Sequence, residues 1–250
     1  MLELKNISTG YGKQTILEGV TTTFEKGKLT SVIGINGCGK STMLKTIIGI
    51  LPISEGEITI DGEKLLDMSR NEIAKKVSYL AQGKSTPDMT VFQMVLHGRF
   101  PYLAYPRRYT KDDREIAYEA MKTMGIEELA EKPLYTLSGG MRQNAYIAMA
   151  LAQDTDYILL DEPTTYLDIA HQLELMRIMR RLADSGKGIV TVMHGLPMSF
   201  DYSDKIVVIS NKKVLHEASP HEMIHSAVIK DVFGVEINLT PKGNYFYMHS

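Results

Sequence analysis

The run Gly34-Ile35-Asn36-Gly37-Cys38-Gly39-Lys40-Ser41-Thr42 constrains this chain more than any other. Its spacing is that of a phosphate-binding loop: glycines let the backbone curl until successive N–H groups converge on one anion, and a following helix start adds its dipole. The context is right as well. Leu29 to Ile33 reads as a buried strand before the loop, and a helix is expected to begin near Ser41. In such a cradle Lys40 reaches the β and γ phosphates and Ser41 ligates magnesium.

A strand, a phosphate loop and a helix imply an α/β fold, and other runs extend it. Tyr157 to Leu160 and Ile189 to Met193 are short and almost continuously apolar, the pattern of strands buried on both faces of a parallel sheet. Leu2 to Ile7, Val20 to Phe24 and Glu57 to Ile60 alternate instead, and Asp61-Gly62 is a hairpin turn, so an N-terminal antiparallel β layer is expected. The stretch from about 87 to 154 reads as mostly helical, with the polar block Arg107 to Arg114 as a surface connection. Ile206 to Leu215 reads as a second hairpin about Asn211-Lys212; the tail after Gly234 gives no assignable pattern.

Two further strand ends carry chemistry. Asp161-Glu162 follows Tyr157 to Leu160 at the carboxyl edge, where open α/β sheets bind ligands. There Asp161 is expected to hold magnesium through water, and Glu162 to polarise the water that attacks the γ-phosphate. His194 ends the third buried run at the same edge and is placed to order that water or touch the phosphate. Leu137-Ser138-Gly139-Gly140 precedes a run of good helix formers, so Ser138, Gly139 and Gly140 offer a second anion site at a helix start. One chain binds each γ-phosphate once, which suggests that the two sites meet across a dimer.

Composition narrows the function classes. The chain has 28 Lys+Arg against 30 Asp+Glu, a formal net charge of -2, so nothing draws it as a whole to nucleic acid or anionic lipid. A single Cys excludes an internal disulfide framework and suits a reducing cytosol. The N-terminus is polar from Glu3 onward, unlike a secretory signal, and the most apolar stretch, Ile47 to Ile53, is broken by Gly49 and Pro52. The expectation is a soluble protein, or one held at a membrane by a partner.

Taken together, GINGCGKST at 34–42, Gln82 in YLAQ, LSGG at 137–140, ILLDEP at 158–163, Asp168 in TTYLD, and His194 resemble the ATPase subunits of ABC transporters along essentially the whole chain. The resemblance implies one ABC ATPase domain over 1–250: a phosphate-loop NTPase core with a mostly parallel sheet, the antiparallel β layer and an inserted helical subdomain at about 87–154. It implies ATP and Mg2+ as cofactors and a head-to-tail homodimer, with the phosphate loop of one copy facing Ser138 and Gly140 of the other. By the same resemblance Tyr11 stacks on adenine, Gln82 ligates magnesium and senses the γ-phosphate beside a membrane partner, and Asp168 communicates across the dimer.

The string from Thr90 to Tyr102, TVFQMVLHGRFPY, and residues 164–176 resemble the importer branch for ferric siderophores, haem and cobalamin. That branch implies integral-membrane permease subunits, an extracytoplasmic substrate-binding protein that reaches this chain only indirectly, and a peripheral place on the cytoplasmic face of the plasma membrane. A soluble ABC ATPase of a cluster-assembly scaffold is the alternative, and GRFPY argues against it. Chromosome-type ABC ATPases insert long coiled coils between Lys40 and Ser138, where no sustained heptads occur. Departures from the family pattern are Ile35, Met141, Asn144 and Gly195-Leu196-Pro197, and Pro197 is expected to restrict the loop after His194. Cys38 lies in the phosphate loop, so thiol modification there is expected to block nucleotide binding, and the helix start to lower its pKa.

Overall fold

Covering a sheet on both faces buries every residue of its strands, and the central strands here show that pattern. The computed structural model describes residues 1–83, 86–165, 167–239 and 245–249. Among these, a four-stranded antiparallel sheet is built from β1 (Leu2–Tyr11), β2 (Gln14–Phe24), β4 (Ile53–Ile60) and β5 (Glu63–Lys64), in the order β2-β1-β4-β5. A six-stranded sheet contains β3 (Leu29–Ile33), β6 (Val77–Leu80), β7 (Tyr157–Asp161), β8 (Gly188–Val192), β9 (Lys205–Ser210) and β10 (Lys213–Ala218), in the order β10-β9-β3-β8-β7-β6. Its pairings are parallel except for the β9–β10 hairpin.

The two faces of the six-stranded sheet feed two cores. Leu29, Ile33, Ile158, Leu160, Ile189, Ile206 and Val208 face one core, which also takes residues of α3 (Val91–Leu96), α4 (Lys111–Thr123), α5 (Gly139–Ala152), α6 (Ile169–Asp184) and α7 (Leu196–Tyr202). Val32, Leu159, Val190, Val192, Val207 and Ile209 face the other, with the antiparallel sheet, α1 (Lys40–Ile47) and Ile73 of α2 (Arg70–Lys76). Alternate residues of each strand therefore serve opposite layers, and each buried Ile, Leu or Val contributes roughly 1.5–3 kcal/mol.

The chain closes with α8 (Pro220–Met223), α9 (Val228–Phe233) and, in the tail after Gly234 where the sequence pattern assigned nothing, a hairpin of β11 (Val235–Leu239) and β12 (Tyr245–His249). Tyr245 packs edge-on against Phe200 of α7, with ring centroids 5.3 Å apart. Tyr166, within the segment compared with the importer branch, lies outside the described residues. No helix among the described residues is long and apolar enough to cross a membrane.

One expectation fails in the helical region. The block Arg107 to Arg114 is not a surface connection throughout: its last four residues, from Lys111, start α4. Thr110 caps that helix by accepting from the Asp113 N–H, and Asp113 returns a carboxylate to the Thr110 N–H. Asp113 is 6% exposed and pairs with Arg99. Polarity in that block therefore came from a capping box and a buried ion pair, not only from solvation.

Candidate active site

Local chemistry dictates the loop. Gly39 is the residue before α1, at φ +109, and a Cβ there would meet Leu17 Cδ2 at 2.6 Å, so only glycine fits. The first N–H groups of α1 then face the cleft with no acidic residue in the first turn. Lys40, 5% exposed, lies across the mouth of the loop and donates from Nζ to the Gly34 and Ile35 carbonyls at 2.8 and 3.0 Å. Its cationic head is thus already held where the loop's N–H groups converge.

Parallel pairing brings the carboxylates to the same edge. The Ser41 hydroxyl donates to Asp161 Oδ1 at 2.9 Å, and the Tyr79 hydroxyl donates to Oδ2 at 3.2 Å. Asp161 is 3% exposed; burial pushes its carboxyl above the ordinary range, and the two hydroxyl bonds offset only part of that. Tyr79 has no spacing signature and was missed in the sequence. Its hydroxyl reaches Asp161 because β6 pairs with β7 in register, which no short motif encodes.

Glu162 leaves the strand at φ +53, a left-handed conformation costly for a side chain with a Cβ. The turn aims its carboxylate back over the loop. His194 Nε2 lies 2.5 Å from Glu162 Oε1, Gln82 Nε2 donates to Oε2 at 2.5 Å, and the Thr165 hydroxyl donates to Oε2 at 3.5 Å. Three elements, the ends of β6, β7 and β8, thereby converge on one carboxylate. Pro197 does not disturb this: it occupies the second position of α7, where no backbone N–H is needed.

Lys40, Ser41, Gln82, Glu162 and His194 line one cleft of about 530 Å3 together with Tyr11, Asn36, Gly37 and Thr42. Tyr11, 48% exposed at the end of β1, offers an aromatic face at the rim. A nucleoside triphosphate matches this inventory: an aromatic edge, a curled N–H loop with one lysine, and a carboxylate poised at the far end. The hard oxygens of Ser41 and Asp161, 2.9 Å apart, suit a divalent cation that takes its remaining ligands from phosphate and water. Among the described residues no group of three or more His, Cys, Asp or Glu gathers into a protein-only metal site.

Ser138, Gly139 and Gly140 are not part of this cleft. Ser138 is the N-cap of α5, accepting from the Met141 N–H at 3.3 Å, and is exposed. Gly139 instead lines a neighbouring cavity with Gln82, Asp161 and Glu162. Gln143 of the same helix donates to the Pro163 carbonyl at 2.9 Å, a tie to the turn that carries Glu162 which the sequence did not disclose. Asp168 caps α6: its carboxylate accepts from the His171 N–H at 2.9 Å and meets His171 Nδ1 at 2.8 Å. Hydrogen bonds from His171 hold that carboxyl below its usual range.

Cys38 corrects an expectation. The thiol is 8% exposed, and burial pushes its pKa up, against the smaller opposite pull of Lys40. Desolvation outweighs the helix start, so Cys38 is not an activated thiol.

Known proteins resemble this chain in sequence and fold. A family model described as ABC transporter matches residues 17–165. The petrobactin import ATP-binding protein FpuD of Bacillus anthracis is 39% identical over 96% of this chain and 88% of its own length. The iron(3+)-hydroxamate import ATP-binding protein FhuC of Bacillus subtilis is 39% identical over 97% of this chain and 92% of its own. Among solved structures, a dimeric bacterial ABC transporter cassette aligns at a TM-score of 0.77 with 29% identity, covering 88% of this chain and 99% of that one.

Proposed function

Because the chain belongs to the ABC transporter family as one of its ATPases, we propose that it is the energy-coupling subunit of an importer for ferric siderophores. The observation that carries hydrolysis is the convergence of Gln82 and His194 on Glu162, opposite Lys40 and Ser41. Import and an iron-chelate cargo are supported by the likeness to FpuD, a petrobactin import protein, and FhuC, an iron(3+)-hydroxamate import protein, over nearly the full chain. Haem and cobalamin are the other cargoes the resemblance allows.

In this reading the loop residues Gly34 to Thr42 bind the phosphates, Lys40 takes the β and γ oxygens, and Tyr11 stacks on adenine. Ser41, Asp161 and Gln82 would hold magnesium, which neutralises phosphate charge when bound. Glu162 accepts the proton of the attacking water, and His194 orients it. Two copies close head to tail, so that Ser138, Gly139 and Gly140 of one complete the nucleotide site of the other, with Asp168 at the seam. Residues 87–154 form a helical subdomain within the single domain 1–250, and permease subunits hold the pair at the cytoplasmic face of the plasma membrane. An extracytoplasmic binding protein supplies the cargo without touching this chain.

Affinity capture of the tagged chain from native membranes tests this. Recovery of a polytopic permease, and loss of ferric-siderophore uptake when Glu162→Gln replaces the chain, are expected. Recovery of soluble scaffold proteins alone, with the chain absent from membranes, would overturn the importer and leave the ATPase.

A further inference from the structure

The segment Gly98 to Tyr102 takes no part in the cleft, yet Gly98, Arg99 and Tyr102 converge on the C-terminal end of α5, the helix whose N-terminus carries Ser138. Gly98 approaches that helix so closely that a Cβ would lie 2.2 Å from the Met149 carbonyl oxygen. Arg99, 7% exposed, donates to the Ala152 carbonyl at 3.1 Å and from Nε to Asp113 Oδ1 at 3.0 Å. Its guanidinium carbon sits 3.9 Å from the centre of the Tyr102 ring, and the Tyr102 hydroxyl donates to the Asp154 carbonyl at 3.3 Å. Asp113 is itself fixed, with Oδ2 accepting from the Thr110 N–H and hydroxyl. From α5's own end, Gln153 Nε2 donates to the Ala74 and Val77 carbonyls at 2.6 and 3.3 Å, and Val77 begins the strand that leads to Gln82.

The last carbonyls of a helix have no partner within it and carry its negative end, so a buried guanidinium there satisfies both needs. A buried ion pair is a poor source of net stability, because desolvation consumes most of the attraction. What the planar fork supplies is direction. The 14 residues of α5 form a rod about 21 Å long, and a tilt of about 5° at one end moves the other by about 2 Å. That displacement exceeds the tolerance of a hydrogen bond to phosphate.

We infer that Arg99, braced by Asp113, and Gln153 are positioning residues that aim α5, so that Ser138, Gly139 and Gly140 meet the nucleotide held by a second copy. The inference rests on the head-to-tail reading above. It assigns the GRFPY segment to the geometry of the composite site, and it ties that site to the strand carrying Gln82.

Arg99→Lys keeps the charge and loses the fork. In the full chain, its turnover number is expected to fall about tenfold, while ATP affinity of the single copy and the thermal midpoint stay near those of the parent. In a Glu162→Gln background, ATP-driven dimerisation measured by sedimentation is expected to weaken by a similar factor. Gln153→Met, which introduces no buried charge, should show the same split and serves if Arg99→Lys does not fold. Unchanged turnover and dimerisation, or losses that track the thermal midpoint and ATP affinity, would overturn the inference. If the Glu162→Gln parent itself fails to dimerise with ATP, the head-to-tail reading fails and takes this inference with it.

Discussion

Glu162 is the residue proposed to activate water, and its backbone is in a strained conformation. Its left-handed φ of +53 is costly for a side chain with a Cβ, and His194, Gln82 and Thr165 all engage the carboxylate it presents. Glu162→Gln is expected to lower ATP turnover by about 10²–10⁴-fold while ATP binding is retained, measured by phosphate release beside equilibrium nucleotide binding. Glu162→Gly should also abolish turnover yet raise resistance to urea by up to about 1 kcal/mol, because glycine adopts that φ freely. A destabilised glycine variant would show that the carboxylate contacts outweigh the backbone strain. Cys38 gives a second test at this scale. With its pKa raised by burial, the thiolate is scarce at neutral pH, so alkylation by iodoacetamide should be slower than for a free thiol at pH 8 and should accelerate above it. Rapid labelling at pH 7 would restore the activated thiol.

Helix ends decide most of what separates the elements of this chain from their sequence patterns. The start of α4 was hidden in a polar block because a capping box and an ion pair use the same residue types as solvated surface. The start of α6 poses the opposite question, since Asp168 is both its N-cap and the residue proposed to communicate across the dimer. The two roles separate by substitution. Asp168→Ala should lower the thermal midpoint, whereas Asp168→Asn keeps a capping oxygen and should leave it unchanged. If Asp168→Asn also leaves turnover and ATP-driven dimerisation at parental values, the carboxylate acts only as a cap; reduced turnover with an unchanged midpoint supports communication.

Across the whole molecule the antiparallel and parallel sheets must stay joined, and Asp61 is one of the joints. At the turn after β4 it accepts from the Met1 ammonium at 2.6 Å, pairs with Lys26 at 2.9 Å, and receives the hydroxyl of Tyr157 from β7 at 3.2 Å. Burial alone would raise its carboxyl, but the ammonium and Lys26 outweigh that and hold it at about 2, against 3.8 when free. A depressed folded value means that the stabilisation is complete above about pH 4 and disappears as pH falls towards 2. Asp61→Asn should therefore cost up to about 2 kcal/mol at pH 7, less whatever solvent screens, and the gap to the parent should close on acidification. A gap independent of pH would assign the loss to packing.

Short-range chemistry was legible in the residues. The phosphate loop, Asp161-Glu162 after an apolar strand, Ser138 at a helix start and the Asp61-Gly62 hairpin each carry a local physical requirement, such as a permissive φ, an orphan N–H or a strand end, that a few neighbouring residues satisfy. The nearly continuous apolar runs around Leu29, Tyr157 and Ile189 likewise pointed to a parallel sheet, since strands covered on both faces lack the polar alternation of a half-exposed strand. What only the tertiary structure decided joins residues far apart in the chain. Tyr79 on Asp161, Arg99 on Asp113 and Ala152, Gln153 on Val77, and the burial that raises the Cys38 thiol all depend on which elements pack together. Such contacts leave no spacing in the sequence because either partner alone is an ordinary strand, loop or helix residue, and its role exists only once packing has removed both from water.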